Sequence, residues 1–351
     1  MTRWAVVLAG GVGSRFWPLS TQERPKQLLP LVGNEPLLVE QLQRLRPLVE
    51  PKRTLVLTNA GLVDAIARVA PEIPRANIIA EPRPAGTAAA LAWAANVIEQ
   101  RDGADATMIS VHADWAIADA DGFRAALSQA ADAAEEHRSL VTVGIVPTRP
   151  DPGFGYIEPG DVVSAAGRGV RRVARFVEKP SRERAVRMKE QGYLWNSGIF
   201  VWRVGAFLTE VRTHAKEVAP ALAQHSGGLG AFFGAITNPI SVDHAVLERS
   251  QRVLVLAGDF GWDDVGTWGA LQRVRDRDAS GNAVSGSVHA LDATNNVVHA
   301  EGQHVVLYGV KDLVVIARDG LTVVTTIDAS ADLKRLVESL PAGVREGGAT
   351  S

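Results

Sequence analysis

A glycine-rich turn with two cations close behind it is the part of this sequence best suited to chemistry. The turn spans residues 8–15 and the block 25–30 follows it, so Arg15 and Lys26 stand near the glycines. Glycine lets the backbone approach phosphate oxygens with its amide N–H groups, and the two cations add fixed positive charge. The turn lacks the Gly-Lys-Ser/Thr ending of a P-loop, and Phe16 stands where a dinucleotide fingerprint has a glycine. The pattern therefore predicts a binding site for a triphosphate.

Two aspartates are candidate ligands for a divalent metal that would accompany the phosphates. Asp114 follows the apolar run 107–111, and Asp264 stands a few residues beyond the run 253–256. Mg²⁺ binds phosphate oxygens through few carboxylates while it keeps several waters, so two carboxylates are enough. An isolated aspartate after a strand is more often a helix cap, and the neighbouring Asp263 leaves the choice of ligand open.

The elements that would position these residues alternate between strand and helix. Strand 54–57 precedes helix 61–69, and strand 107–111 precedes helix 122–136. The alternation predicts an α/β fold with a doubly wound, mostly parallel, Rossmann-like sheet, whose ligands lie at the carboxyl ends of the strands. A further helix is expected over 88–98, with Thr87 as its N-cap.

Two stretches depart from this alternation. Gly/Pro turns around 151–156 and alternating strands near 170–178 predict an antiparallel insertion over about 150–205. From about residue 276, short β-branched runs separated by turns predict a small β-rich, left-handed β-helix-like domain, closed by a helix over 331–340 that Ser330 caps. We therefore predict a catalytic domain over 1–275, a β-rich domain over 276–342 and a flexible tail over 343–351.

The composition excludes several classes of protein. The 351 residues are 46% apolar, which is enough for about two domains with a large core. Lys plus Arg total 37 against 39 Asp plus Glu, so no overall basic field exists for nucleic acid or anionic lipid. The absence of cysteine excludes disulfides, thiolate metal sites and cysteine nucleophiles. No apolar run is long enough for a bilayer and no signal-peptide layout is present, so we expect a cytoplasmic location.

Six ordered sequence blocks carry a resemblance to a known family. They lie at residues 8–20, 155–157, 176–180, 195–200, 241–243 and 261–268. From about residue 4 to 340 the chain resembles the sugar-1-phosphate nucleotidylyltransferases and, within them, the mannose-1-phosphate guanylyltransferases, whose loop ending is similar to Ser14-Arg15-Phe16-Trp17-Pro18. The resemblance implies transfer of GMP from GTP to α-D-mannose 1-phosphate by Mg²⁺-assisted in-line displacement, with release of pyrophosphate.

The resemblance also implies roles for particular residues. Arg15 would steady the pyrophosphate, Lys26 would bridge the phosphates of the two substrates, and Lys179 would reach the sugar phosphate. Asp114 and Asp264 match the acidic positions of the family and would hold the metal. The implied nucleotide contacts are Leu8, Ala9, Gly10, Gly11, Gly13, Ser14, Glu81, Pro82, Gly86 and Thr87, and the implied sugar contacts are Gly155, Glu158, Asn196 and Asp243. Glu158 and Lys179 could instead form a cross-strand surface ion pair, and Asn196 a plain turn.

Departures from the family pattern keep two alternatives open. Residues 85–89, Ala-Gly-Thr-Ala-Ala, stand where relatives commonly carry Arg-Asn-Thr-Ala-Pro for base recognition, and His112 and Trp115 replace a usual proline and histidine beside Asp114. One alternative is the same chemistry on another sugar 1-phosphate or nucleotide, and the other is a catalytically silent regulatory homologue that binds a nucleotide-sugar. The family often dimerises, so a homodimer is an expectation. The chain stops soon after the β-rich segment, and we expect no fused isomerase module of the kind some relatives carry.

Overall fold

The computed structural model describes residues 1–11, 13–163, 169–224, 227–318 and 320–345. The chain folds into two compact units. Unit 1 contains residues 1–10, 42–112 and 119–260. Unit 2 contains residues 11–41 and 113–118 together with the C-terminal segment from 261. Each unit is therefore assembled from segments that are distant in sequence.

Unit 1 is built on a nine-stranded sheet with the order β3-β2-β1-β4-β9-β6-β10-β8-β7. Its strands are β1 (Arg3–Leu8), β2 (Thr54–Asn59), β3 (Ile78–Glu81), β4 (Thr107–His112), β6 (Leu140–Ile145), β7 (Tyr156–Val162), β8 (Arg171–Val177), β9 (Leu194–Arg203) and β10 (Val253–Gly258). The buried apolar side chains of β1, β2 and β4 explain their place inside the sheet, because a strand covered on both faces is almost continuously apolar.

The sheet is mixed, and the prediction of a mostly parallel sheet was wrong in this respect. Strands β3, β2, β1 and β4 pair in parallel, and so do β6 and β10. Strand β9 enters antiparallel to both β4 and β6, and it also pairs antiparallel with β7. The antiparallel insertion predicted over about 150–205 thus supplies a central strand, because β9 is buried enough to be covered on both faces.

The helices of unit 1 pack on this sheet and carry most of its apolar core. They are α2 (Val63–Val69), α3 (Thr87–Asp102), α4 (Ala120–His137), α5 (Arg182–Glu190), α6 (Val204–His214), α7 (Ala219–Leu222) and α8 (Gly228–Ala235), with a π-helical turn at Asp243–Leu247. The N-cap of α3 is Gly86, so the prediction of Thr87 as the cap was wrong. The Thr87 hydroxyl instead accepts a hydrogen bond from the Val242 backbone N–H, at 2.9 Å.

Unit 2 combines two short paired strands with a four-stranded sheet. Strands β5 (Ala116–Ile117) and β11 (Trp262–Asp263) pair antiparallel. The second sheet has the order β12 (Ala283–Leu291), β13 (Val297–Tyr308), β14 (Leu313–Arg318) and β15 (Leu321–Thr326), of which the first three are parallel. The Asn282 side chain accepts from the Asn296 backbone N–H, and the Asn296 side chain accepts from the Leu313 backbone N–H. These hydrogen bonds join residues at the starts of neighbouring strands, and the prediction of a β-rich segment is confirmed.

The helices of unit 2 are short. They are α9 (Leu271–Val274), α10 (Leu333–Ser339) and α11 (Ala342–Arg345), while α1 (Leu37–Leu45) includes residues of both units. The N-cap of α10 is Asp332, and Ser330, predicted as the cap, donates to the Ile327 carbonyl instead. The predicted tail begins with the α11 turn, where the Arg345 carbonyl accepts from Trp17 Nε1, and the predicted tail residues 346–351 lie outside the described part. In the part of the chain that the structure describes, no helix is long and apolar enough to cross a membrane.

Candidate functional site

Lys26 is held at the glycine turn of unit 2 by the local shape of the backbone. It opens a 3-10 turn, Lys26–Leu28, directly after Pro25, and its side chain is only 6% exposed. Gly13 has a φ of +66°, and a Cβ at Gly13 would overlap the Cβ of Lys26. Glycine is therefore required at position 13 both for the left-handed backbone and for the close approach of Lys26.

Two predicted metal-binding segments meet at the Lys26 ammonium group. Lys26 Nζ donates to Asp114 Oδ2 at 2.9 Å and to the main-chain carbonyl of Asp264 at 2.7 Å. The Asp114 side chain is about one-third exposed, so this ion pair stands at a partly open surface. The structure thus brings Lys26 into contact with the Asp114 side chain and the Asp264 main chain, which are distant in sequence, and the phosphate and metal roles of these residues stay predictions.

Asp263 and Asp264 have different environments. The difference bears on which of the two is the metal ligand, a question that the sequence left open. The Asp263 carboxylate is buried and accepts from Arg273 at 2.8 and 3.1 Å and from the Val265 backbone N–H at 2.9 Å. This bidentate pairing uses both oxygens of Asp263 inside the protein. A Cβ at Gly266 would lie 2.8 Å from Asp264 Oδ2, so glycine leaves room beside the Asp264 carboxylate.

The remaining predicted phosphate-binding residues of unit 2 lie at its surface. Gly11 and Arg15 are exposed, and Arg15 has no ion pair within the described ranges. Ser14 begins the 3-10 turn Ser14–Phe16, and its side chain lies outside what the structure describes, as does Val12. The structure does not bring the Arg15 side chain to Lys26 or to the aspartates.

In unit 1, the ends of β1 and β3 form the predicted nucleotide-binding edge. Leu8 ends β1, the Ala9 N–H donates to the Leu57 carbonyl, and Gly10 follows with an exposed backbone. A Cβ at Gly10 would lie 4.0 Å from Glu81 Oε1, so the Glu81 carboxyl stands beside this turn. Burial raises the pKa of Glu81 to about 7. No hydrogen bond or ion pair to another described residue satisfies this carboxyl.

The loop that follows Glu81 is packed tightly against the segment 240–242. Pro82 is exposed, while Gly86 has a φ of +82° and a Cβ there would overlap the backbone of Ile240. The Ala88 N–H donates to the Ile240 carbonyl, and the Thr87 hydroxyl is engaged by Val242. Because the Thr87 hydroxyl only accepts in this internal bond, its predicted nucleotide contact could use the backbone, the hydroxyl proton as a donor or the second lone pair.

Three of the four predicted sugar residues come together in unit 1. The Asn196 N–H donates to the Gly155 carbonyl at 2.8 Å, and Asn196 Nδ2 donates to Asp243 Oδ1 at 2.7 Å. Burial raises the pKa of Asp243, which the hydrogen bond from Asn196 and the nearby His112 partly oppose. A Cβ at Gly155 would lie 2.8 Å from Glu178 Oε2. Glycine at 155 therefore keeps a small polar space open, bordered by amide and carboxyl groups.

Glu158 and Lys179 are not paired with each other, contrary to the surface ion pair that the sequence left as an alternative. Glu158 pairs with Arg175 at 2.7 Å, and Arg175 also donates to the Tyr193 hydroxyl. Lys179 pairs with Glu178 at 3.0 Å and is 68% exposed. The structure does not join either residue to the group formed by Asn196 and Asp243.

The donor set in unit 2 fits a divalent metal that takes part of its ligands from substrate. Asp114 and Asp264 are hard oxygen donors, and no cluster of three or more His, Cys, Asp or Glu able to hold a metal occurs in the described part of the chain. A small hard cation that keeps waters and phosphate oxygens needs no larger protein cage. The site therefore suits a metal that arrives with a phosphate substrate.

These features define the class of the protein. The model of the nucleotidyl transferase family matches residues 4–281. The chain belongs to this family, and it is a nucleotidyltransferase enzyme of the kind that uses a divalent metal.

The relatives specify the branch within that class. A mannose-1-phosphate guanylyltransferase from Sinorhizobium fredii is 34% identical over 348 residues, which cover 96% of this chain and 67% of that protein. The mannose-1-phosphate guanylyltransferase ManC from Salmonella typhimurium is 37% identical over 97% of this chain and 74% of its own length. A crystal structure from Thermus thermophilus, described as a mannose-1-phosphate geranyltransferase, superposes with a TM-score of 0.88 at 35% identity, covering 96% of this chain and 99% of that one. The resemblance that the sequence blocks predicted is thereby confirmed.

Sequence reasoning missed several residues that shape the two sites. Arg273 donates hydrogen bonds to the Asp263 carboxylate, and no local sequence pattern predicts this pairing. Glu178 faces Gly155 and Lys179 and lies near Asp243, although within this block only Lys179 was assigned a role. The block 176–180 carried the available signal, because an acidic residue beside the predicted phosphate-binding lysine directly follows a strand.

Proposed function

We propose that the protein transfers GMP from GTP to α-D-mannose 1-phosphate, forming GDP-mannose and releasing pyrophosphate. The observation that carries this proposal is the convergence on Lys26 of Asp114 and the Asp264 carbonyl beside the glycine turn. A buried lysine in contact with two acidic segments is suited to the negative charge of a triphosphate undergoing displacement. The relatives that bear the name mannose-1-phosphate guanylyltransferase support the choice of substrates.

The reaction is written as one displacement at the α-phosphorus of GTP. An oxygen of the mannose 1-phosphate forms a new bond to this phosphorus while the bond to the oxygen bridging the β-phosphorus breaks, so pyrophosphate leaves with the electron pair. Negative charge develops on the bridging and non-bridging oxygens. Lys26, fixed in advance by its two hydrogen bonds, would stabilise that charge without reorganisation, and Arg15 would meet the departing pyrophosphate.

We assign Mg²⁺ to Asp114 and Asp264. When bound, such an ion neutralises phosphate oxygens and polarises the α-phosphorus. Asp264 is preferred over Asp263 because the Asp263 carboxylate already accepts three hydrogen bonds within the protein. Asp114, which already pairs with Lys26, would hold the ion with its remaining lone pairs, so the lysine and the ion would both supply positive charge for the phosphates.

We assign guanine recognition to the loop that begins at Glu81. An ionised carboxylate offers two acceptors, which match the N1–H and N2–H₂ donors of guanine, whereas the corresponding edge of adenine presents an acceptor. Glu81 is half-buried and has no partner among the described residues, so a ligand can satisfy it. The backbones of Leu8, Ala9, Gly10, Gly11, Gly13 and Ser14 and the loop positions Pro82, Gly86 and Thr87 complete the proposed nucleotide contacts.

We assign the sugar hydroxyls to Gly155, Asn196 and Asp243. The Asn196 amide and the Asp243 carboxyl border the space beside Gly155 and offer both donors and acceptors. Glu158 and Lys179 would join only by exchanging their present partners, Arg175 and Glu178. Such an exchange is inexpensive at the surface, where ion pairs contribute little.

The test is a substrate matrix with pure protein. GTP, ATP, UTP and dTTP are each incubated with mannose 1-phosphate or glucose 1-phosphate and Mg²⁺, and both pyrophosphate and nucleotide-sugar are measured. We expect the largest rate for GTP with mannose 1-phosphate and none with a chelator. Faster turnover of another pair would replace the proposed substrates, and nucleotide-sugar binding without pyrophosphate release would identify a silent homologue.

We also propose the finer features of organisation. These are a catalytic domain over 1–275, a left-handed β-helix-like domain over 276–342, a homodimer and a cytoplasmic location. Limited proteolysis should cut first near residue 276, and sedimentation analysis should give twice the mass of 37.4 kDa. A crystal structure would decide the handedness of the parallel strands β12, β13 and β14.

A further inference from the structure

A buried arginine in unit 2 ties the segment that carries Lys26 to the C-terminal sheet. Arg275 Nε donates to the Leu31 carbonyl at 2.6 Å, and Nη1 donates to the Val298 carbonyl at 3.3 Å. Nη2 lies 3.2 Å from His299 Nδ1. Burial lowers the pKa of Arg275 to about 10, so the group stays charged near neutral pH while it is removed from solvent. Burial of a charged guanidinium group is unfavourable in free energy, and the hydrogen bonds of Arg275 must offset this.

His299 is also linked, through the Glu301 carboxylate, to Arg24 on the N-terminal side of Lys26. His299 Nε2 lies 3.2 Å from Glu301 Oε1, and Glu301 Oε2 lies 3.7 Å from Arg24 and 3.4 Å from Arg318. Arg24 precedes Lys26 and Leu31 follows it, so both sides of the lysine are attached to one network. Arg275, His299 and Glu301 are hereafter called the relay.

The proton positions in the relay follow from the hydrogen-bonding groups. Arginine has donors only, so His299 Nδ1 must accept from Arg275. His299 Nε2 then carries the hydrogen and donates to Glu301. Burial lowers the pKa of His299, and the Arg275 charge acts in the same direction, whereas Glu301 opposes them. A neutral imidazole therefore links a guanidinium group to a carboxylate.

A line of aromatic rings leads from the relay to Lys26. The His299 ring meets Trp268 edge-on at 5.9 Å, Trp268 packs against Phe16 at 5.2 Å, and Lys26 Nζ lies 5.8 Å from the Phe16 ring. Trp268 Nε1 also donates to the Trp17 carbonyl. Displacement of His299 would therefore disturb the packing of the turn that holds the lysine as well as the ends of its segment.

We propose that Arg275, His299 and Glu301 are positioning residues that hold the Lys26 ammonium group in place for the transfer reaction. This inference rests on the proposed function, since Lys26 is its proposed catalytic residue. In this proposal the three residues do not contact substrate. They act on Lys26 through Arg24 and Leu31 and through the Trp268 and Phe16 rings. Loss of the relay would leave the protein folded while Lys26 moves.

The test compares three histidine variants. His299→Phe keeps a ring against Trp268 and removes both hydrogen bonds, whereas His299→Gln can still accept from Arg275 and donate to Glu301. His289→Phe is the matched control, because His289 is exposed on β12. We expect His299→Phe to lower kcat on the order of 10- to 100-fold with a smaller change in KM, and His299→Gln to recover most of the loss.

A second readout does not depend on activity. The free proteins are treated with acetic anhydride, and acetylation of Lys26 is followed by mass spectrometry. We expect Lys26 to be slow to react in the wild type and in His289→Phe, to react several-fold faster in His299→Phe, and to be protected again in His299→Gln. Circular dichroism and Tm establish that each variant is folded.

The outcomes separate the two hypotheses. If the wild type catalyses no transfer but Lys26 acetylation follows the relay variants, the proposed function fails and the relay stands. If His299→Phe is folded and keeps the wild-type kcat and Lys26 reactivity, the relay is overturned. Should His299→Phe fail to fold, Glu301→Gln at the partly exposed end of the relay is measured in the same two assays and decides in the same way.

Discussion

The carboxyl groups at the candidate sites of the two units have different environments. In unit 2, Asp114 pairs with Lys26 and Asp263 pairs with Arg273. In unit 1, burial raises the pKa of both Glu81 and Asp243, although Asn196 donates a hydrogen bond to Asp243 and His112 lies near it. The first arrangement places each carboxyl group against a cation, whereas in the second Asp243 accepts from an amide and Glu81 has no hydrogen bond to another described residue.

This difference matches the tasks proposed for the units. Charge that develops during phosphoryl transfer requires fixed cations and anions, since preorganised groups need not move during the reaction. Recognition of a base or a sugar requires groups whose desolvation is compensated only when the correct donor arrives. We therefore propose that Lys26 and its partners in unit 2 serve the chemical step, and that Glu81 and Asp243 in unit 1 serve selectivity. Four predictions test this contrast, in order of decreasing effect.

The strongest loss is expected at the proposed metal ligand. Asp264→Ala should lower kcat at least about 1000-fold, because several kcal/mol of transition-state stabilisation are lost, while Tm stays near the wild-type value. Asp263→Asn should lower the free energy of unfolding by about 1–3 kcal/mol through its bond to Arg273, with kcat largely retained in the folded fraction. Steady-state kinetics and thermal melts distinguish the two. The reverse pattern would move the metal to Asp263.

Lys26→Ala should come next. Loss of the fixed ammonium should cost about 2 kcal/mol or more of transition-state stabilisation, at least about 30-fold in kcat. Lys334→Ala is the control, because Lys334 is an exposed lysine of the same unit. The kcat values of both variants are measured at saturating GTP and mannose 1-phosphate. A rise in KM alone would assign Lys26 to binding and not to the chemical step.

Gln in place of Glu81 should separate selectivity from stability in unit 1. Glu81→Gln should lower kcat/KM for GTP about 10- to 100-fold, since one acceptor of the guanine contact becomes a donor. The same change should raise Tm at pH 8, because ionised Glu81 is desolvated without a partner among the described residues. Glu72→Gln, an exposed position, is the control for both measurements. An unchanged preference for GTP over ATP would remove Glu81 from base recognition.

The weakest effect is expected in the dependence of stability on pH. The pKa of His299 is lower when folded than its usual 6.5, so the unfolded chain binds the extra proton first, and stability falls as pH drops through and below 6.5. Glu81 acts in the opposite sense, because its pKa rises from 4.5 to about 7 on folding, and its contribution to stability falls as pH rises across that window. Urea melts of His299→Gln and Glu81→Gln from pH 5 to 8 should each flatten one of these slopes. A wild-type slope in both variants would contradict the two pKa directions.

The segments of the candidate site were easier to predict from sequence than the directions of the strands around them. The glycine turn, Lys26, Asp114 and Asp264 are readable because turn chemistry and strand ends leave local marks, and the structure brings these segments together. The central antiparallel strand β9 was not readable, because an apolar strand has the same pattern in either direction. The caps at Thr87 and Ser330 were misread because each hydroxyl has a tertiary or turn partner that a local rule does not include.

The class of chemistry follows from the amino-acid sequence alone. A glycine that must adopt positive φ, a lysine after a proline and aspartates at strand ends are local requirements of phosphate and metal binding, and each is visible within a few residues. The pairing of groups, in contrast, is a property of the folded chain. Arg273 with Asp263, Arg275 with His299, and Glu81 without a cation among the described residues depend on contacts between distant segments, and burial then sets the charge state of each group. Charge pairing and desolvation depend on distances of a few ångströms between groups in the folded protein. The spacing of residues along the chain does not determine those distances.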